Sequence, residues 1–134
     1  MNRQALIERI QRIKKQPKKR ELMFASEKTA NFKELIPGVS KALLWGNEET
    51  GPYGAFTKFT PGFDAGMHMH TNDSRIVVIK GAYLYRDDKG EKRVEAGEFL
   101  LIPGGTKHWS GGDAKEGVLF FEEMDGKFDL IPVM

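Results

Sequence analysis

From about Glu27 onward, glycine and proline cut the chain into short β-rich segments roughly every 8 to 12 residues, a spacing that suits strands joined by tight turns. No helical period returns after that point. Strands are predicted over approximately 29–32, 41–45, 54–59, 74–80, 82–86, 92–94, 99–102, 107–110, 118–123 and 129–131. Pro37-Gly38, Gly51-Pro52, Pro61-Gly62 and Pro103-Gly104 each preset turn dihedrals, and Asp87-Asp88-Lys89-Gly90 reads as a hairpin loop whose glycine takes a positive φ. The body is therefore predicted to be one all-β sandwich or barrel.

A different pattern precedes it. Leu6, Ile7, Ile10 and Ile13 fall on one stripe of a helix predicted over about 2–16, which Pro17 stops. Residues 1–20 hold eight Lys/Arg against the single acid Glu8, while the remainder holds 13 basic and 18 acidic residues. The net charge of +2 thus hides a basic tail on a mildly acidic body. The tail lacks interleaved aromatics, so a nucleic-acid role is not expected; it reads as a helix that docks its stripe outside the barrel or across a dimer partner. With 134 residues the chain fits one domain, divided here as 1–20 and 21–134. The absence of cysteine excludes a disulfide scaffold, a thiolate metal site and a cysteine nucleophile. Apolar runs such as 76–79 and 99–102 are far too short for a membrane helix, and 1–20 has no apolar block of the secretory kind, so a cytoplasmic location is expected.

The chain has three histidines, His68, His70 and His108. His68 and His70 are two apart, so on an extended segment both rings project to one face and can share an ion. Their surroundings carry more. Gly62, five residues, His68-Met69-His70, three residues, Ser74, six residues and Gly81 form one block; Gly97, five residues, Pro103-Gly104-Gly105, two residues, His108, three residues and Gly112 form another.

These blocks resemble, in order and spacing, the two signatures of the cupin superfamily. The resemblance implies an all-β, cupin-like double-stranded β-helix, a jelly-roll barrel with a short N-terminal helix, and it puts all three histidines on metal-ligand positions. Two positions depart. Ser74 stands where most cupins supply a glutamate ligand, and Gly112 where they carry asparagine. Ser74 is a poor ligand for a divalent ion, and Asp73 would need a bulge to reach inward, so three neutral imidazoles plus water are expected. Such a site keeps the full +2 of the ion and favours anionic oxygen chelators such as enolates.

The three-histidine pattern is similar to cupin dioxygenases that cleave β-diketones or hydroxyacetophenones, and to the wider ChrR-like group. It implies a mononuclear non-haem metalloenzyme acting on a small oxygen-rich compound, with Fe(II) favoured and Zn or Ni as alternatives, the substrate enolate chelating the ion and oxygen attacking the activated carbon. The alternative is a metal-dependent ligand-binding or sensory module without turnover, like the zinc-holding cupin half of certain anti-sigma factors; a metal-free barrel is the third. Small cupins also pair, so a homodimer is expected.

Other residues have plainer readings. Tyr83 and Tyr85 share a strand face and, with Trp109, could line a pocket, although core packing suits them equally. Arg75 is expected to point away from Ser74 and to make a salt bridge or bind an anion. Phe56 and Lys58 share one face and Phe59 takes the other, with Lys58 in solvent. Glu122 and Glu123 are adjacent on a strand and therefore face opposite ways, which argues against a shared acid–base site.

Overall fold

In the computed structural model, residues 2–13 and 21–133 are described, with side chains over 2–9 and 21–133. Helix α1 (Arg3–Ile13) begins where the Asn2 side chain accepts the Ala5 amide at 2.7 Å, an N-cap bond. Leu6 and Ile7 remain exposed on the single chain. Ile10 and Ile13 belong to the same expected stripe, but their side chains, like the stop at Pro17, lie outside the described residues. Among the described residues no helix is long and apolar enough to cross a membrane.

Ten strands follow: β1 (Lys33–Ile36), β2 (Val39–Gly46), β3 (Tyr53–Phe59), β4 (Asp64–Met69), β5 (Ser74–Asp87), β6 (Gly90–Glu95), β7 (Phe99–Ile102), β8 (His108–Gly112), β9 (Val118–Met124) and β10 (Ile131–Pro132). They pair antiparallel in a curled sheet of order β1-β2-β3-β9-β5-β8-β4-β10, with β6 and β7 also on β5. The architecture is the two-layered jelly roll that the sequence predicts.

β5 belongs to both layers. Its first half pairs with β7 and β9, its second with β6 and β8. The turn from one layer to the other occurs at Gly81, beside a register shift between Val78 and Lys80. Gly81 has φ +72°, and a Cβ there would run into the carbonyl oxygen of Gly117. Only glycine fits that close approach. The two predicted segments 74–80 and 82–86 are therefore one strand bent at its glycine.

The core lies between the layers, where Ile76, Val78, Tyr83, Val94, Ile102, Val118 and Phe120 are buried together with Phe59 against them. Phe59 packs on Phe63, Phe120 and Tyr83 at ring separations of 4.9, 5.2 and 5.8 Å.

The structure corrects the sequence reading at both ends of the barrel. Residues 29–32 are not a strand: the Ser26 carbonyl accepts the amides of Thr29 and Ala30, and the Ser26 and Thr29 hydroxyls bond at 2.9 Å. Local hydroxyl bonding makes a turn of these residues, and the first strand starts at Lys33. The predicted strand at 129–131 shortens to Ile131–Pro132, because Asp129 is committed elsewhere.

Candidate metal centre

Two paired strand positions and the residue just past one of them build the site. His68 on β4 lies directly opposite His108 on β8, and His70 follows just past the end of β4 on the same inward face. Ring centroids are 4.4 Å apart for His68 and His108, 4.9 Å for His68 and His70, and 5.5 Å for His70 and His108. One ring nitrogen of each lies within 4.8 Å of the others. A triangle with sides no longer than 4.8 Å has a point within about 2.8 Å of every corner, so small ring movements would reach the ~2.1 Å of a zinc–imidazole bond.

The orientation of each ring is fixed from behind. Nδ1 of His68 donates to the Gly66 carbonyl at 2.8 Å, Nδ1 of His108 to the Thr106 carbonyl at 2.8 Å, and Nδ1 of His70 to the Asp129 carbonyl at 2.5 Å. Spending Nδ1–H this way leaves Nε2 of each ring as a bare lone pair. Nε2 of His108 is buried without any hydrogen-bond partner, an arrangement that is costly unless a cation or donor completes it. The donor set therefore fits a divalent metal ion.

Burial favours the neutral form of the His68 and His108 rings. His68 is 3% exposed, and desolvation pushes its pKa down to about 4, with the neighbouring His108 and His70 adding to the fall and the Gly66 carbonyl opposing it. Desolvation likewise lowers His108, against the pull of the Thr106 carbonyl. Neutral imidazole is the form that binds metals. Tyr85 stacks on His108 at 5.4 Å and 19°, and Phe128 packs on His70 at 5.6 Å.

His68 and His70 open into a cavity of about 420 Å³, a size typical of small-molecule sites, walled largely by Leu35, Ile36, Val39, Phe59, Phe63, Ile76, Phe120, Phe128 and Leu130. Ser74 is buried on its wall. Asp73 does not turn inward, since its carboxylate accepts the Gly104 amide at 2.7 Å and shapes the loop before β8. Arg75 points away and forms a two-pronged pair with Asp125 at 3.1 and 2.5 Å. Trp109 also faces outward, donating to Asp64 at 2.6 Å under the Arg86 guanidinium. Tyr83 reaches the cavity wall with its hydroxyl bonded to Ser110 at 2.6 Å, whereas Tyr85 supports His108 from the core. Lys58 is not simply in solvent: its ammonium sits 3.9 Å from the Phe32 ring.

Three contributors are missed by the sequence reading. Asp129 positions His70 through its carbonyl while its own carboxylate grips the amide and hydroxyl of Thr71. Glu122 and Glu123 face opposite ways as expected, yet Glu122 alone enters the cavity, where Lys41 pairs with it at 3.1 Å. Alternation along β9 could have shown Glu122 inward beside Phe120. Nothing local in the sequence announces Lys41.

Residues 22–134 match the profile of a family described as a domain of unknown function, DUF4437. The chain belongs to this family. Among curated proteins none matches it. The DUF4437 fold is similar to that of the polyketide cyclase RemF from Streptomyces resistomycificus, with a TM-score of 0.71 and 15% identity over 85% of this chain and 87% of that one. KdgF from Halomonas is similar at a TM-score of 0.62 and 16% identity, over 76% and 94% of the two chains. The complex of SigE with the anti-sigma ChrR from Rhodobacter sphaeroides contributes a third likeness, at 0.61 and 18%, over 75% of this chain and 51% of that one. At these identities the likeness concerns the fold, and that fold is the cupin barrel.

Proposed function

We propose that His68, His70 and His108 hold one divalent metal ion and that this DUF4437 chain uses it to transform a small oxygen-rich organic compound, in a dioxygenase-like reaction with Fe(II) favoured and Zn or Ni as alternatives. The observation that carries the reading is the set of three imidazoles whose Nδ1 atoms are all tied to backbone carbonyls, with the buried Nε2 of His108 left without a partner. When bound, the ion supplies Lewis-acid or oxygen chemistry at positions the protein leaves open. The residues do the rest: three neutral donors leave the ion its full charge, which suits an anionic oxygen chelator, and the apolar cavity seats the body of the ligand away from water.

The likeness to the polyketide cyclase RemF supports small-molecule chemistry on such a barrel, while the likeness to ChrR favours a second reading, a metal-holding sensory or ligand-binding module without turnover. In both, the chain works as a homodimer. Metal analysis of untagged protein is expected to give about one ion per chain, and His108→Ala to lower that occupancy. Full occupancy in that variant would overturn the site. Oxygen uptake by iron-loaded protein with β-diketones and catechols separates the two readings: uptake supports the enzyme, silence across the panel supports the binding module. Gel filtration of a 21–134 chain tests the pairing, since an unchanged dimer excludes the helix as its essential contact.

A further inference from the structure

The cavity has a second polar pole. Lys41 on β2, Thr57 on β3 and Glu122 on β9 point into it from neighbouring strands, and Lys41 and Glu122 have side chains only 4% and 7% exposed. The Lys41 ammonium lies 3.1 Å from Glu122 and 3.4 Å from Glu48. Glu122 also accepts the Thr57 hydroxyl at 2.5 Å and the Tyr53 hydroxyl at 3.4 Å.

Two consequences follow from counting charges and donors. Two carboxylates share one ammonium, Glu122 on the cavity wall and Glu48 one-third exposed and off the lining, so the cluster as a whole carries a formal net negative charge. The Lys41 ammonium is taken up by its ion pairs with Glu122 and Glu48 and by the Tyr53 oxygen, whereas a carboxylate accepts about four hydrogen bonds and Glu122 receives two, from the Thr57 and Tyr53 hydroxyls, beside its ion pair. What remains on offer to a ligand is an acceptor.

The two poles face the same cavity. Phe128 on the cavity wall packs against both, its ring 5.6 Å from the His70 ring and 4.0 Å from the Lys41 ammonium, so the second pole is within about 10 Å of the first. Phe59, Phe120 and Ile76 wall the space along the way.

We propose that the Lys41–Glu48–Glu122 cluster is the specificity determinant of this cavity, which takes ring compounds that chelate at the histidines and carry a hydroxyl or ammonium donor at the far end, and rejects those with a far-end carboxylate. The inference rests on the metal reading, which anchors the near end.

Zinc-loaded protein, titrated calorimetrically at neutral pH with catechol, 3,4-dihydroxybenzyl alcohol, 3,4-dihydroxybenzylamine and 3,4-dihydroxybenzoate, tests it, because the chelating end is constant and only the far group changes. The alcohol and the amine are expected to bind at least about tenfold more tightly than the benzoate. Glu122→Gln is expected to shrink that ratio to within about threefold without loss of zinc, and the paired substitution Lys41→Met with Glu122→Gln provides the same readout should the single variant fail to fold. Wild-type protein that binds the benzoate as tightly as the alcohol, or that holds zinc and binds no member of the series, overturns the selectivity alone. Protein that takes up no zinc overturns the metal reading and the anchor with it.

Discussion

Lys41→Met is the substitution whose effect on stability can be worked out most directly. Methionine keeps most of the aliphatic volume of lysine but leaves Glu122 in the interior without its counter-ion. At 3.1 Å and an effective dielectric constant of about 20, the attraction between Lys41 and Glu122 is about 5 kcal/mol. Glu122 keeps the Thr57 and Tyr53 hydroxyls, which soften the loss, and Glu48, one-third exposed, is screened by water. A net destabilisation of about 3 to 4 kcal/mol is expected, in line with breaking one partner of a buried pair. Urea unfolding followed by tryptophan fluorescence would show this as a midpoint lower by roughly 2 M, for a slope of about 2 kcal/mol/M. Adding Glu122→Gln to the same chain should restore most of the loss, since two neutral groups replace two charges. A single variant within about 1 kcal/mol of wild type, or a double variant as damaged as the single one, would refute the reasoning.

Three further outcomes are expected. Asp129→Ala frees the segment whose carbonyl holds His70, so zinc affinity measured by chelator competition should fall about tenfold or more while circular dichroism stays unchanged; undiminished affinity would show that the carbonyl needs no such anchor. Metal-free protein should lose stability as pH falls from about 6.5 toward about 4, because the unfolded chain protonates His68 while burial resists it in the fold, with a ceiling of roughly 3 kcal/mol for the lowered pKa. Urea midpoints that stay level over that window would contradict it. Gly81→Ala sets a side chain at φ +72° against the Gly117 carbonyl, so a loss of at least about 3 kcal/mol or an insoluble chain is expected, and a wild-type melting temperature would refute the layer-switch role.

Much of the barrel was legible because its signals are local. Glycine and proline set turns wherever they stand, and alternation on 74–80 and 118–123 marks buried faces without knowledge of the partner strand. The failures are equally physical. Thr29 and Phe32 have the composition of a strand, but the Ser26 carbonyl and hydroxyl capture the backbone first. β4 hides behind its own glycine and polar residues, although the alternation of His68 and His70 already implied an extended chain there. The histidine cluster was readable since two of its members are neighbours in sequence and all three sit in recognisable blocks. Lys41 and Glu122 were not, because 81 positions separate them and only the β2-β3-β9 order brings them together. Asp129 acts on His70 through a backbone carbonyl, a group no sequence pattern distinguishes.

X-ray absorption at the zinc edge, on protein loaded with one equivalent of zinc, tests the central claim most directly. Three imidazole nitrogens at about 2.0 to 2.1 Å plus a light oxygen scatterer are expected, with one imidazole lost in His108→Ala. A spectrum fitted by oxygen ligands alone, or one identical in the variant, would contradict a metal centre at His68, His70 and His108.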